Sequence, residues 1–249
     1  MIPLRATVSA AGLGSGKAPL KLLFDTDIGA DIDDEMTLIY LLNSPEIDLR
    51  GVTTVYGDPF SRAEFVRGLI ASMGRGGMIP VHAGARVPMH EAPDERTDAV
   101  KFIVRSILET DGPRHLLLTG GHTNIGMALR EDPALTERLE GISLMGYDFK
   151  SFCGAFNLDS DIDAAEVVLT SGIPLRVLPR EIGIACQLQQ KEYNRLLASE
   201  CPQMIFIREP MQRWVRHVRQ RPRVPIPDYL PRPFDPLTAM TLTHPELFQ

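Results

Sequence analysis

From Leu20 onward, short apolar runs alternate with amphipathic stretches. That alternation is the pattern of β-α-β units, in which a parallel sheet is covered by helices. The runs predict strands at Leu20–Phe24, Leu49–Val55, His115–Leu118, Gly141–Met145 and Leu175–Leu178. Between them, helical spacing with polar or proline punctuation predicts helices over Asp33–Leu42, Ser61–Met73, Asp98–Glu109, Thr123–Arg130 and Asp161–Thr170. Later, Met211, Trp214, Val215 and Val218 recur at helical spacing, so they read as a packed helix face and not as a ligand platform. Arg213, Arg216, Arg219 and Arg221 on the same segment read as a solvated face or an oligomer contact. The prolines from Pro222 to Pro236 break the pattern, and Asp235-Pro236 is a helix start. A rigid loop folded over the sheet, then a short last helix, is expected there. Residues 1–19, with Gly12, Gly14 and Gly16 and no continuous apolar run, are expected to be a disordered leader. The expected fold is one α/β domain over 20–249, with a mostly parallel central sheet flanked by helices.

Composition narrows the partners. Across 249 residues the chain is 44% hydrophobic and carries 26 basic against 32 acidic side chains, a net charge of −6. Nucleic acid is not an expected partner for such a chain. No apolar run approaches the ~18 to 20 residues that span a bilayer, so no membrane is expected. Cys153, Cys186 and Cys201 lack metal-type spacing and are expected to pack as small apolar groups. A reduced, cytoplasmic protein is the expectation.

The most informative segment is Leu22 to Asp34, LLFDTDIGADIDD, where an apolar strand runs into five aspartates. In a parallel sheet the carboxyl ends of strands are where ligands bind, so Asp25, Asp27, Asp31, Asp33 and Asp34 would converge there. Carboxylates that close raise one another's pKa values, and a hard divalent cation keeps them ionised. Calcium or magnesium is implied, because no His or Cys stands at this spot to favour zinc. The alternative is a solvated acidic loop, or helix caps in which Asp33 and Asp34 favour the following helix dipole. Gly51–Asp58 (GVTTVYGD), Leu116–Asn124 (LLLTGGHTN) and Phe156–Asp161 (FNLDSD) place further polar groups at ends of predicted strands.

In this order, DTDIGADIDD, GVTTVYGD, LLTGGHTNIGMAL, LMG, FNLDSDIDAAEVV and FDPLTAM resemble the motifs of the inosine-uridine nucleoside hydrolase family, from about Leu20 to Leu247. The resemblance implies a calcium-dependent hydrolase that cleaves the N-glycosidic bond of a small-molecule ribonucleoside and is usually a homo-oligomer. Carried over by position, it makes Asp27 both a calcium ligand and the base that takes a proton from the metal-bound water. It makes Asp34, the carbonyl of Thr119 and Asp235 the other protein ligands, and sets Asp33 and Asn157 on the ribose hydroxyls. Asp25 and Asp161 become supporting carboxylates. The family's first motif is shorter, so Asp31 falls in an insertion without an assigned role.

Several positions depart from the family's pattern. Ala155-Phe156-Asn157 stands where the family commonly has Glu-Phe-Asn, whose acid holds the 5′-hydroxyl; substrates altered at that position, or a weaker grip on ordinary nucleosides, fit the change. Phe234 replaces a histidine before the last Asp-Pro, and with Tyr229 it stacks on a base or covers the sheet. Asp58 replaces an asparagine and adds negative charge to the substrate pocket. His122 faces the substrate or is a buried turn histidine, and His90 is expected at the surface. With the last ligand at Asp235, the sequence reads as a shortened member with a more open or partner-completed site. A competing reading keeps the calcium site but not catalysis, giving a binder of a ribosylated ligand. Another, a haloacid-dehalogenase-type phosphatase, matches LLFDTD but has Gly29 where that family has threonine or valine.

Overall fold

The computed structural model describes residues 18–29, 31–92, 96–150, 156–222 and 226–248. Residues 1–17 of the expected leader, Cys153 and Ala155 lie outside them. The described residues form one six-stranded sheet: β1 (Leu20–Thr26), β2 (Ile47–Thr54), β3 (Val81–Ala83), β4 (His115–Leu118), β5 (Gly141–Met145) and β6 (Leu175–Leu178). Its order is β3-β2-β1-β4-β5-β6 and every pairing is parallel. The three-residue edge strand β3 was not expected, since so short a run carries no readable alternation.

Successive strand residues point to opposite faces, and both faces are covered. Leu22, Phe24, Val52 and Leu117 pack into one core with α1 (Asp33–Asn43), α2 (Pro59–Ser72) and residues of later helices. Leu23, Leu116, Leu118, Ile142 and Leu144 pack into the other with α3 (Asp98–Leu108) and α4 (Thr123–Glu131). After the short α5 (Leu135–Arg138) and β5, the helix expected over Asp161–Thr170 forms as α7 (Ile162–Leu169), preceded by a separate turn, α6 (Phe156–Asp159). Asp161 causes the break: it leaves helical geometry and its side chain accepts from the Ala164 amide at 3.0 Å, capping α7. Likewise α2 starts earlier than expected, at Pro59, because Asp58 caps it and proline suits the first helical position.

The chain continues through α8 (Arg180–Ala185), α9 (Gln190–Leu197), α10 (Pro202–Arg219) and α11 (Phe234–Thr243). The short α8 and α9 were not expected from the pattern. On α10, Met211, Val215 and Val218 are buried, as the spacing predicts. α11 returns to pack against α1, and Tyr40 and Thr243 join the two through their hydroxyls at 2.6 Å. Arg176 of β6 donates to the Thr241 carbonyl at 2.7 Å, fixing α11 to the sheet. Two expectations fail on local exposure: Cys186 and Cys201 are both exposed instead of packed. Each stands at the end of a helix, Cys186 after α8 and Cys201 before α10. His90 is exposed as expected, 3.7 Å from an Asp163 carboxylate oxygen.

Candidate functional site

The sheet order reverses between β1 and β4: β1 leads outward to β2 and β3, and β4 to β5 and β6. At such a switch point the connections diverge and leave a crevice above the carboxyl ends of the strands. A cavity of about 440 Å³ opens there, lined by Asp27, Asp31, Asp33, Asp34, Thr119, Asn157, Phe234 and Asp235 among others. Asp27, Asp33, Asp34 and Asp235 are between 3% and 6% exposed, which rules out a solvated acidic loop. Nor are Asp33 and Asp34 caps: Ile32 holds the N-cap position of α1, and both aspartates lie in its first turn.

Burial sets the electrostatics. It pushes the carboxyls of Asp27, Asp33 and Asp235 well above the usual range, and their neighbours' charge adds to the shift. Asp31 is raised to about 7, burial again being the main cause, while Arg221 and Arg232 pull the other way. Asp34 is raised less freely, because the hydroxyls of Thr119, at 2.6 Å, and Thr26 both donate to its Oδ1. The carboxylate oxygens of Asp33, Asp34 and Asp235 come within 4.8 Å of one another. An all-oxygen, buried and like-charged donor set of this kind fits a hard divalent cation, which would relieve the desolvation that now raises each carboxyl.

Asn157 donates from Nδ2 to the Thr119 carbonyl at 2.5 Å, so α6 is tied to the end of β4. Below the cavity, Asp25 accepts from Thr53 and, at 2.8 Å, from Asn124; burial raises it to about 7. Asp161 accepts from the Met89 amide at 2.7 Å and the Thr123 hydroxyl at 2.6 Å, binding α7 to α4 and to the loop after β3. Neither lines the cavity.

Two expected substrate-facing residues are placed elsewhere. Asp58 is exposed and its carboxylate is occupied by Ser61, accepting from the amide at 3.2 Å and the hydroxyl at 2.7 Å; those bonds hold its pKa below the usual value. His122 is fully buried, does not line the cavity, and neither ring nitrogen has a partner within the protein; burial lowers its pKa to about 4. Conversely, Trp214 does line the cavity, together with Tyr229, to whose hydroxyl its Nε1 donates at 3.1 Å. α10 thus presents its tryptophan to the site while its apolar residues face the core. Phe234 lies against Gly183 of α8, where a Cβ would sit 2.0 Å from the ring.

Three residues, Arg62, Arg180 and Arg232, had no signal in the sequence, and a fourth, Arg221, had one that pointed elsewhere. Arg62 of α2 donates to the carbonyls of Asp27 and, at 2.6 Å, Ile28, and from Nε to Tyr56 at 2.9 Å, clamping the loops after β1 and β2. Arg180, Arg221 and Arg232 line the cavity, so Arg221 is not on a solvated face. Asn124 was visible only as part of TGGHTN, although it bridges Asp25, the Thr54 carbonyl at 3.1 Å and the Ala85 amide at 2.9 Å. Tyr56 and Tyr147, following β2 and β5, have φ of 70° and 77°, unusual for residues with side chains and, among the described residues, found only at this edge of the sheet.

Comparison with known proteins gives one family. The description "inosine-uridine preferring nucleoside hydrolase" matches residues 22–249. Pyrimidine-specific ribonucleoside hydrolase RihB of Escherichia coli is 31% identical over 182 residues, which is 62% of this chain and 58% of that protein. An uncharacterised protein of Schizosaccharomyces pombe is 30% identical over 211 residues, 72% of this chain and 67% of its own. A plant nucleoside hydrolase shares the fold with a TM-score of 0.79 at 22% identity, over 92% of this chain and 80% of that one. The chain therefore spans little more than half the length of the Escherichia coli relative.

Proposed function

This chain belongs to the inosine-uridine preferring nucleoside hydrolase family, and from that premise we propose that it hydrolyses the N-glycosidic bond of a ribonucleoside or related N-riboside. The observation that carries the proposal is the set of buried carboxylates gathered beneath an aromatic-lined cavity at the switch point of the sheet. Asp33, Asp34 and Asp235, joined by Asp27 and the Thr119 carbonyl, would hold a calcium ion; that ion would supply a site for orienting and acidifying water and for gripping a cis-diol. Magnesium suits the same oxygen donors less well, since it demands tighter octahedral geometry.

Asp27 takes the proton from the attacking water, a role suited to a carboxylate whose burial raises its basicity. Asp33 and Asn157 bind the ribose hydroxyls. As the bond to the base breaks, the sugar acquires oxocarbenium character, and the concentrated negative charge of the cavity stabilises it. Trp214, Tyr229 and Phe234 offer flat apolar surface to the departing base. Asp25 and Asp161 keep the strand ends and helix starts in register through their hydrogen bonds. Asp58 and His122 are not given substrate contacts, because one caps a helix and the other is sealed in the core. A homo-oligomer, as the resemblance implies, is kept as part of the proposal and is read by sedimentation velocity.

The test is release of free ribose from a panel of ribonucleosides with added calcium. Ribonucleosides should yield ribose while 2′-deoxynucleosides react poorly. Equal rates on both would remove the proposed diol contact. Tight nucleoside binding without ribose release would replace a hydrolase with a binding protein.

A further inference from the structure

The same cavity carries a feature that a neutral nucleoside does not use. Beside the buried carboxylates it is lined by three guanidinium groups, those of Arg180, Arg221 and Arg232. Their planes are held in place. Arg221 lies 5.1 Å above the Trp214 ring and Arg232 5.5 Å above the Tyr229 ring, and the Arg232 Nε donates to Gln187 at 3.1 Å. Arg180 stands at the end of β6, its amide bound to the Tyr147 carbonyl at 2.9 Å and its Nη1 3.3 Å from Asp148. Stacking orients Arg221 and Arg232 without consuming their terminal nitrogens, whereas Arg180 spends one of its two on Asp148. Among the described residues no carboxylate comes within ion-pair distance of Arg221 or Arg232, although the charge of both acts on Asp31 from farther off.

Three oriented arginines with donors to spare form a site for an oxyanion, for which the planar fork is the best-matched side chain. The position of that oxyanion follows from the rest of the proposed chemistry. With the two ring hydroxyls of the sugar held by Asp33 and Asn157 and the base as leaving group, carbon 5′ is the remaining point at which a phosphate can be attached. We propose that the arginine trio is a phosphate subsite and that the preferred substrates are N-ribosides phosphorylated at the 5′ position. This rests on the hydrolase reading of the same cavity. Water adds to C1′, the C1′–N bond breaks with its electron pair leaving on the base, the water proton passes to Asp27, and the departing base takes up a proton from solvent. The phosphate ester is untouched, so the products are free base and ribose 5-phosphate.

The experiment uses the full chain with added calcium and has two arms. In the first, base release is compared for inosine and uridine, for their 5′-monophosphates and for their 5′-diphosphates; the mono- and diphosphate series separate a terminal phosphate from a diphosphate bridge as the recognised group. In the second, binding of ribose 5-phosphate and of ribose is compared by calorimetry, which needs no turnover. The 5′-phosphates should exceed the nucleosides in kcat/KM by at least about tenfold, as charge-assisted hydrogen bonds allow. The double variant Arg221→Met with Arg232→Met should abolish that preference, with folding checked by circular dichroism. Nucleosides cleaved as well as their phosphates, with ribose 5-phosphate bound no more tightly than ribose, would overturn the subsite and leave the hydrolase reading standing. Tighter binding of ribose 5-phosphate without any base release would do the reverse. A phosphate preference that persists in the double variant also overturns the proposal, since the anion would then be held by the cation and not by the arginines.

Discussion

Asp27 and His122 show how the same burial produces opposite chemistry. Burial raises the Asp27 carboxyl and makes it a stronger base, so Asp27→Asn should lower ribose release by ~10²- to 10⁴-fold, and more cation should not restore it. Burial lowers His122 to about 4, against 6.5 for an unburied imidazole, so this ring is neutral at pH 7. The unfolded chain takes up a proton there as the pH falls through 6.5, and the native state does so only near 4. Native stability is therefore complete above 6.5 and lost as pH falls toward 4, by about 3 kcal/mol in all. Since Asp25 and Asp31, both raised to about 7, act in the other direction, the comparison has to be between wild type and His122→Gln. Urea unfolding across pH 4 to 7 should show a shallower acid loss in the variant. The five aspartates were legible because they lie together in the chain and follow an apolar strand. The arginines were not, since Arg62, Arg180, Arg221 and Arg232 reach the site from separate elements and nothing in their neighbours marks which way they turn.

At the scale of elements, contacts between backbones matter as much as side chains. In α4, a Cβ on Gly126 would lie 2.8 Å from the Ala164 Cβ and 2.9 Å from its Cα in α7, so no small adjustment of a rotamer relieves it. Gly126→Ala should cost about 1–3 kcal/mol, seen as a lower urea midpoint at unchanged slope. Gly183 differs: its obstacle is the ring of Phe234. Gly183→Ala should displace that ring from the cavity wall, raising KM for nucleosides several-fold while the melting temperature changes little. The apolar runs located five of the six strands because each keeps a run of apolar residues, buried most fully in β1, β4 and β5, even where a charged residue such as Lys21, Arg50 or Arg176 interrupts it. β3 escaped because three residues cannot display a period, α8 because six residues are fewer than two turns, and α9 because its eight residues carry mostly polar positions. The placement of Trp214 was misread for a related reason. Its spacing with Met211 and Val218 is correct for one helix face, but a tryptophan at the margin of that face reaches past the core into the cavity.

Over the whole molecule, a parallel sheet with one reversal of order gathers residues from Asp27 to Asp235 into a single crevice. That gathering was readable from the order of the motifs. The depth of burial was not, because it depends on α11 closing over α1. Without a cation, the protonated native carboxyls give up protons as the pH rises toward 7, and stability should decline from pH 5 to 8; with the pKa values raised in the native state, the loss ends above the folded values. Calcium should remove this decline, so the rise in melting temperature between chelator and calcium should be larger at pH 8 than at pH 5. An equal rise at both would separate ion binding from the buried carboxyls. Asp235 has a further consequence through its position on α11, which packs on α1, β5, β6 and α8. The last carboxylate is delivered by a single docked helix, so the crevice is finished only when that helix seats. A peptide spanning α11, supplied in trans to a chain lacking it, would then complement the site in proportion to calcium, making metal affinity a readout of helix docking.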